Sequence, residues 1–509
     1  MRRRGMSHEE MTAALQVTNQ RRCQPSLPED QVERIARSVA RYAPTNGHSN
    51  GQGLVRDRIN GYVPAANVGF RRTDMGNGER LVAQHGPNIR YCYLWKKWLI
   101  WDGRRWLEDH QGQIETLAKQ SVRAIYREAE IEPDEDRRKE LAKHATRSES
   151  KSRVEAMLDM GRSEAGIPIL PDAFDTDLWA LNVHNGTLDL RTGQLRPHRP
   201  ADWITRLAPV PYQPEATCPR WDAFLDRILD GNADLIAFVR RAVGYALTGS
   251  TRDQVLFMLY GTGANGKSTF LETLQSLLGD YARPTDFTTF LPKNQDGPRN
   301  DIARLLGARL VTAAEAEAGR RLSEVIVKQL TGGDTIIARR LHEEFFEFRP
   351  QFKLFLAANH RPVVRGTDHA LWRRIRMIPF TVTIPEQERE KDLPARLLEE
   401  LPGILAWAVR GCLEWQQDGL GNPEAVQQAT RAYQEDMDPI ADFLADGCVL
   451  NETAQAKAGD LYNAYEAWAM DQGEKPISQR GFGQHLGERE LAKKKTNRGY
   501  IYSGVGLLV

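Results

Sequence analysis

A short glycine-rich segment that follows an apolar run constrains this chain most. The residues GTGANGKST, from Gly261 to Thr269, fit the spacing G-x-x-x-x-G-K-[ST]. The apolar run QVLFMLY precedes them at 254–260, and the helical pattern STFLETLQSLLG follows. This strand–loop–helix context distinguishes a phosphate-binding loop from a chance glycine-rich turn. The segment therefore predicts an α/β domain with a nucleoside triphosphate site.

Each residue type in this loop has a physical role in binding phosphate. Glycines let backbone N–H groups surround the β-phosphate, a lysine supplies charge to the β- and γ-phosphates, and a hydroxyl ligates Mg²⁺. We therefore predict ATP and Mg²⁺ as cofactors, with Lys267 as a catalytic residue and Ser268 as a metal ligand. The predicted nucleotide-binding residues are Gly261, Thr262, Gly263, Ala264, Asn265, Gly266, Lys267, Ser268 and Thr269.

Two further apolar runs place polar side chains beside this loop. The run ARLVTAA at 308–314 precedes Glu315 and Glu317, and the run KLFLAAN at 353–359 ends in Asn359. Such runs are typical of buried parallel strands, and ligands bind at the carboxyl ends of those strands. A carboxylate there holds Mg²⁺ and polarises the attacking water. We predict Glu315, in preference to Glu317, as this acid and metal ligand, and Asn359 as a group that orients water or the γ-phosphate.

Basic residues follow the second and third runs. The segment KQLTGGDTIIARRLHEEFFEF predicts a tight turn at 331–334 and then a hairpin, with Arg339 and Arg340 as its anion-binding residues. The segment LWRRIRMIPF carries three more arginines, Arg373, Arg374 and Arg376. An arginine of one subunit can stabilise the γ-phosphate held by its neighbour. The alternative interpretation of this cluster is ordinary surface charge.

Size and charge limit the class of protein. A chain of 509 residues is too long for one ordinary core and predicts roughly three domains. The 69 Lys and Arg against 68 Asp and Glu give a net charge of +1, so a nucleic acid must be bound by a local basic surface. Five scattered cysteines without a CxxC pair argue against a disulfide framework or a zinc ribbon. The apolar runs are too short to span a membrane, so we expect a cytoplasmic protein without a membrane partner.

The ordered motifs resemble those of a known family. GTGANGKST, LVTAAEAE, VKQLTGGDTIIARRL, FKLFLAANHRP and WRRIRMIPF are similar to the superfamily III (AAA+) helicases of phage and plasmid primase–helicases, related to the poxvirus helicase-primase. NGTLDLRTGQLRPH, PRWDAFL and AVGYALTG resemble the domain before this helicase. Residues 5–43 resemble the helical module that follows a primase catalytic domain, and LYNAYEAWAMDQGEKPISQRGFGQHL with GYIYSGVGLL resembles the closing winged helix. The resemblance covers about 400 residues.

The resemblance implies a multidomain α/β chain whose AAA+ P-loop core has a parallel sheet, preceded by a mixed α/β and helical region and followed by a winged helix. The predicted order is a helical primase C-terminal-like module (1–43), a linker (44–60), a mixed α/β domain (61–218), a helical collar (219–252), the AAA+ superfamily III core (253–385), a helical lid (386–440) and a winged-helix DNA-binding domain (441–509).

The resemblance also implies roles for single residues and an assembly. The family acts as a homohexameric ring, with ATP between subunits and hairpins that project into a central channel around DNA. By position in the motifs the roles are the Walker A pair Lys267 and Ser268, the Walker B acid Glu315, the sensor Asn359, and the arginine finger Arg374 with Arg373 as the next candidate.

Two features depart from the family pattern. The hairpin tip is usually basic in the family, whereas His342-Glu343-Glu344 is mostly acidic here. DNA contact is therefore predicted for one or more of four residues that the pattern does not rank, namely Arg339, Arg340, His342 and Lys353. In addition, we find no primase catalytic domain ahead of the helical module in this sequence, so that either the chain is a fragment or a separate gene supplies the primase. We expect no primase activity from this chain and a separate primase or polymerase as its partner.

The carboxyl-terminal segment predicts DNA binding independently. Its sequence KKKTNRGYIY reads as a basic wing, in which we predict phosphate contacts by Lys493, Lys494, Lys495 and Arg498. The alternative is a solvated basic tail.

We predict an ATP-dependent DNA helicase of phage- or plasmid-type replication that translocates on single-stranded and forked DNA. The alternatives are an ATP-switched origin-binding initiator without processive unwinding and a small-molecule kinase, which would need neither the arginines nor the winged helix.

Overall fold

The structure, a computed structural model, describes residues 28, 30–32, 69–292, 299–314, 319–339, 344–364, 369–437, 439–471, 476–497 and 499–508. Most of the predicted helical module at 1–43 and the whole predicted linker at 44–60 lie outside these ranges. Contacts between residues divide the described chain into two units. The first contains 69–86 and 115–168, and the second contains 87–114 and 169–508.

The first unit is helical. Its helices are α1 (Asp74–His85), α2 (Gln113–Ile131, which enters the unit at residue 115), α3 (Glu135–Ser148) and α4 (Lys151–Gly161). Helix α1 begins at Asp74 because the Thr73 side chain accepts a hydrogen bond from the Gly76 N–H. The buried Arg80 guanidinium forms a bidentate ion pair with Glu128, which joins α1 to α2. The predicted 61–218 domain therefore includes this helical unit and parts of the second.

The second unit begins with two small antiparallel sheets of three strands. One contains β1 (Ile89–Cys92), β2 (Lys97–Trp101) and β3 (Trp106–Glu108), and the other contains β4 (Ala180–Val183), β5 (Gly186–Asp189) and β6 (Gln194–Arg196). Helices α5 (Pro219–Ile228) and α6 (Ala233–Leu247) follow, in the region predicted as a helical collar.

A parallel sheet of five strands forms the centre of the second unit. Its strands are β7 (Leu256–Tyr260), β8 (Ala282–Pro284), β9 (Leu310–Ala314), β12 (Lys353–Ala358) and β13 (Ile375–Pro379), in the spatial order β13-β7-β12-β9-β8. The three apolar runs that predicted buried parallel strands correspond to β7, β9 and β12, so this prediction is confirmed.

Alternation of side chains explains how both faces of this sheet are covered. In β7, Phe257 and Leu259 belong to one apolar cluster, and Leu256 and Met258 belong to the other. In β12 the same alternation places Phe355 in the first cluster and its neighbours in the second. Strands that are buried on both faces need no polar residues, which is why these runs are continuously apolar.

Helices and one hairpin surround the sheet. The helices are α7 (Lys267–Leu278), α8 (Asn300–Ala303), α9 (Glu324–Thr331), α10 (His369–Trp372), α11 (Leu393–Glu399), α12 (Leu401–Asp418) and α13 (Glu424–Asp436), and the hairpin is formed by β10 (Ile336–Arg339) and β11 (Phe345–Phe348). The hairpin lies where the sequence predicted one.

The carboxyl-terminal segment has its own apolar core. It contains α14 (Pro439–Gly447), β14 (Cys448–Lys457), α15 (Ala458–Asp471), α16 (Gln479–Glu488), β15 (Lys493–Thr496) and β16 (Gly499–Leu507). The strands form an antiparallel sheet in the order β14-β16-β15. Phe443, Tyr465 and Phe482 from the three helices pack together beneath it. In the part of the chain that the structure describes, no helix is long and apolar enough to cross a membrane.

Candidate active site

The P-loop connects β7 to α7 through a turn that only glycine fits. Gly266 has φ of +81° and directly precedes α7. A Cβ at this position would lie 2.7 Å from the Ile228 side chain and 3.0 Å from Phe224, both on α5. At the start of the loop, a Cβ on Gly261 would lie 2.3 Å from the Phe380 carbonyl oxygen. The loop is therefore held tightly between α5 and the chain that follows β13, which fits a backbone cradle for phosphate.

The Lys267 ammonium lies inside this loop. The residue is only 5% exposed, and its Nζ donates to the Gly261 carbonyl at 2.7 Å and to Asn265 Oδ1 at 2.9 Å. Burial lowers the pKa of Lys267 to about 8. Both acceptors belong to the loop itself, so phosphate oxygens can take their place. Ser268 is exposed in the first turn of α7, where its hydroxyl is accessible to a metal ion.

Asn359 lies at the same edge of the sheet as the P-loop. Strand β12 pairs with β7, and Ala358, its last residue, is opposite Tyr260. The Gly261 N–H donates to the Ala358 carbonyl at 3.3 Å. Asn359 follows at once and is exposed. The structure therefore brings Asn359 to the start of the P-loop, as parallel strand order predicts.

The predicted acids follow the next strand of the sheet. Strand β9 pairs with β12 and ends at Ala314, opposite Ala357. Glu315 and Glu317 come directly after it and lie outside the described residues. Among the residues that are described, no group of three His, Cys, Asp or Glu side chains forms a metal cluster. The choice between the two glutamates as the Mg²⁺ ligand stays a prediction.

A cavity of about 440 Å³ adjoins the P-loop. The Ile384 N–H donates to the Ala264 carbonyl at 2.8 Å, which brings the segment after β13 against the loop. An ion pair between Arg227 of α5 and Glu388 spans the same region. The lining residues are Arg220, Ala223, Phe224, Arg227, Ala264, Gly266, Thr269, Ile384, Glu388, Arg389, Glu390, Lys391, Leu393 and Pro394. The cavity has the volume of a small-molecule site and room for a nucleoside.

The sequence analysis did not identify this cavity. Its wall on α5 comes from Phe224 and from Arg220, Ala223 and Arg227, and the last three are spaced i, i+3 and i+7 and so share one face of the helix. The opposite face carries the buried Trp221 and Leu225. Two arginines on the exposed face of a helix that precedes the P-loop in the sequence were the available signal.

The arginines of the segment LWRRIRMIPF lie at the opposite edge of the sheet. Ile375, the first residue of β13, pairs with Leu256, the first residue of β7, so Arg373 and Arg374 lie at the amino ends of these strands. The five residues of β7 separate them from the P-loop by roughly 16 Å. Neither arginine can therefore reach a γ-phosphate bound at the P-loop of its own chain.

The two neighbouring arginines differ in exposure. Arg374 is buried, and its guanidinium donates to the Ala370 carbonyl and, at 3.2 Å, to Gln254 Oε1. Arg373 is exposed. A finger supplied to a neighbouring subunit must be accessible, so this arrangement favours Arg373, the second candidate of the sequence analysis, over Arg374.

Lys353 is not accessible to DNA. It is 1% exposed, and its Nζ donates to the carbonyls of Thr248, of Ser250 at 3.2 Å and of Gln351 at 3.3 Å. The ammonium also lies 4.7 Å from the centre of the Tyr245 ring. Burial, reinforced by a nearby arginine, holds the pKa of Lys353 well below its ordinary value. The prediction that Lys353 contacts DNA is wrong, because β12 begins inside the protein.

The other predicted DNA contacts lie on the hairpin and on the carboxyl-terminal sheet. Arg339 ends β10, and its guanidinium lies 5.3 Å from the centre of the Phe345 ring. Arg340 and His342 lie outside the described residues. Lys493, Lys494 and Lys495 form β15 and are all exposed, whereas Arg498 lies outside the described residues. The Lys493 ammonium lies 4.8 Å from the Tyr500 ring of β16. The structure therefore presents a basic strand beside an exposed aromatic ring.

Four family profiles match separate parts of the sequence. They are described as Primase C terminal 1 (residues 1–45), D5 N terminal like (78–230), a family of unknown function (259–374) and Poxvirus D5 protein-like (435–503). The matches to the D5 descriptions lie on both sides of the P-loop.

Individual relatives come from large DNA viruses. Protein L207/L206 of Acanthamoeba polyphaga mimivirus, named as a helicase, is 28% identical over 319 residues, which are 58% of this chain and 33% of the relative. Protein 022R of Frog virus 3, also named as a helicase, is 28% identical over 53% of this chain and 30% of the relative. Protein C962R of African swine fever virus (isolate Warthog), named as a primase, is 23% identical over 58% of this chain and 33% of the relative. The chain thus matches about a third of the length of these relatives.

Solved structures are more distant. The apo structure of the NrS-1 C terminal region aligns with 86% of this chain and 100% of that chain, at 11% identity and a TM-score of 0.49.

Proposed function

We propose that the chain is an ATP-dependent DNA helicase of DNA replication, within the poxvirus D5-like helicase–primase family that its matched profiles and viral relatives support. The position of Lys267 carries the proposal. Its ammonium lies at the carboxyl end of an inner strand of a parallel sheet, bound by loop oxygens that a phosphate can replace. Since the chain matches about a third of its relatives' length, the helicase activity named for them is part of this proposal.

In the proposed reaction ATP occupies the P-loop and the adjoining cavity. The phosphates lie against Lys267 and the N–H groups at the start of α7, and the nucleoside enters the cavity between α5 and residues 384–394. Ser268 and Glu315 hold Mg²⁺, which neutralises charge during phosphoryl transfer. Asn359 orients the attacking water from the neighbouring strand. Because Lys267 is buried, its charge acts on the phosphates with little screening by solvent.

The site is completed by a second copy of the chain. The arginines lie at the amino ends of β7 and β13, while the P-loop lies at the carboxyl end of β7. A ring of subunits, a hexamer by family resemblance, can place Arg373 of one subunit against the γ-phosphate of the next. In this arrangement the exposed Arg373, which lies at the amino ends of the strands, acts on ATP bound by the neighbouring subunit.

DNA is bound by two surfaces in this proposal. The carboxyl-terminal segment acts as a winged helix in this proposal, with α16 as the recognition helix and the hairpin of β15 and β16 as the wing, and the element order α14-β14-α15-α16-β15-β16 supports this assignment. Lys493, Lys494 and Lys495 on this wing bind phosphates of single-stranded or forked DNA. The hairpin of β10 and β11, with Arg339 near its tip, is the second surface and lines the channel of the ring.

The test measures ATP hydrolysis with and without single-stranded DNA, alongside strand displacement on a forked duplex. We expect hydrolysis that single-stranded DNA stimulates and unwinding that requires ATP. Hydrolysis and DNA binding without strand displacement would favour an ATP-switched initiator. Hydrolysis without any DNA binding would contradict both and favour a small-molecule kinase.

A further inference from the structure

Arg361 connects the loop after β12 to helix α13. Its guanidinium lies 4.9 Å from the centre of the Tyr260 ring, which directly precedes the P-loop. Its Nη1 donates to the Asp436 carboxylate and, at 3.3 Å, to the Ala432 carbonyl. Both acceptors lie at the carboxyl-terminal end of α13, where exposed carbonyls stabilise a cation. Arg361 therefore joins the end of β7, the loop that carries Asn359 and the end of α13.

A second contact fixes the same loop to the same helix. The buried Tyr433 of α13 donates its hydroxyl hydrogen to the Pro362 carbonyl. Its ring packs edge-on against Trp372, with ring centres 5.1 Å apart, and Trp372 directly precedes Arg373. One side chain of α13 thus contacts both the Asn359 loop and the turn that carries the exposed arginine.

Helix α13 also contacts β13 and leads into the carboxyl-terminal segment. The Met377 N–H of β13 donates to the Thr430 hydroxyl at 3.1 Å. Helix α13 ends at Asp436, and α14, the first helix of the carboxyl-terminal segment, begins at Pro439. Hydrogen bonds thus hold the carboxyl-terminal half of α13, from Thr430 to Asp436, to β13 and to the loop after β12, and this half leads directly towards the carboxyl-terminal segment.

We propose that Arg361 and Tyr433 are positioning residues that couple ATP at the P-loop to DNA on the carboxyl-terminal segment through α13. The inference rests on the proposed function. ATP that contacts Asn359 shifts the loop of Arg361 and Pro362, and α13 follows because both residues hold it. Coupling between two sites is reciprocal, so DNA changes the affinity for ATP by the same factor as ATP changes the affinity for DNA.

The test compares two neighbouring carboxylates of α13. Asp436→Asn removes the charge that pairs with Arg361, and Glu435→Gln removes a charge from an exposed side chain of the same turn. The dissociation constant of a non-hydrolysable ATP analogue is measured with and without single-stranded oligothymidylate. The dissociation constant of the oligonucleotide is then measured with and without the analogue.

We expect wild-type protein to show a coupling factor of about five or more, equal in both directions. Asp436→Asn should bring the factor close to one while the affinity for each ligand alone changes less than about twofold, and Glu435→Gln should keep the wild-type factor. Tyr433→Phe, which removes only the hydroxyl, should also lower the coupling factor. It replaces Asp436→Asn as the test variant if Asp436→Asn does not fold.

Three results would count against the inference in different ways. A wild-type factor retained by both Asp436→Asn and Tyr433→Phe would overturn it. A wild-type factor of one, in protein that hydrolyses ATP and binds DNA, would overturn it and leave the proposed helicase intact. Protein that binds no ATP would contradict the proposed function, and the inference with it.

Discussion

The parallel sheet buries one lysine at the carboxyl ends of its strands and another at their amino ends, and different partners hold the two ammonium groups. Lys267 at the carboxyl edge and Lys353 at the amino edge both donate to backbone carbonyls, and burial lowers the pKa of both. Lys267 is bound only by its own loop and lies beside a cavity. Lys353 is held by the segment that follows α6, a hundred residues earlier in the chain. Burial of a lysine therefore does not identify a ligand site, and the site proposed at Lys267 rests instead on acceptors that a ligand can replace.

The sharpest test of this difference is Lys267→Ala. Removing the ammonium should reduce ATP hydrolysis to background, a loss of at least about a hundredfold, because no other described side chain in the loop carries positive charge to the phosphates. The circular dichroism spectrum should be unchanged, since the loop oxygens can hydrogen-bond to water. Steady-state hydrolysis near the wild-type rate would show that Lys267 has no role in ATP hydrolysis.

A second prediction concerns the arginines at the amino edge. Arg373→Ala should bind ATP nearly normally and hydrolyse it about a thousandfold more slowly, the usual scale for a finger. Mixing it with Lys267→Ala protein should restore part of the activity, because some interfaces then pair an intact P-loop with an intact arginine.

The matched control is Arg374→Ala. Its guanidinium is bonded within its own chain, so we expect a loss of thermal stability as its main effect. If Arg374→Ala binds ATP, stays folded and is rescued by mixing, while Arg373→Ala hydrolyses ATP normally, the finger is Arg374.

The pKa of Lys267 predicts a pH dependence of ATP binding. The ammonium of the free protein loses its proton as pH rises through about 8, and the phosphates bind its protonated form. Affinity should therefore be constant below that pH and fall above it, by up to about tenfold per pH unit. Calorimetric titration of an ATP analogue at several pH values measures this. Lys267→Arg should show no such fall between pH 7 and 9, and an equal fall in that variant would assign the titration to another group.

The smallest effect on ATP is expected at the other buried lysine. Lys353→Met leaves several carbonyls without their donor, so the free energy of unfolding should fall by roughly 1–3 kcal/mol in urea titrations. ATP affinity should stay within about twofold of wild type, because Lys353 lies at the far edge of the sheet. The control Lys151→Met changes a side chain that is 90% exposed and should leave stability unaltered. A large loss of ATP affinity in stable Lys353→Met protein would contradict this prediction, because it would show that Lys353 affects ATP binding at the P-loop.

The comparison also shows which features the sequence could predict. The P-loop and the three buried strands could be predicted because each is encoded by neighbouring residues. The burial of Lys353 could not, because its acceptors, Thr248 and Ser250, are distant in sequence. Likewise, the exposure of Arg373 and burial of Arg374 depend on the register of β13 against β7. The motif does not specify that register.

The P-loop and Arg373 lie at opposite ends of β7, and this separation has a further consequence. In the proposed ring each chain supplies half of one reaction centre and half of another, and a solitary chain possesses none that is whole. Turnover per chain would then rise with protein concentration and vanish on dilution. The number of copies in a cell would itself regulate the enzyme, without an inhibitor or a covalent modification.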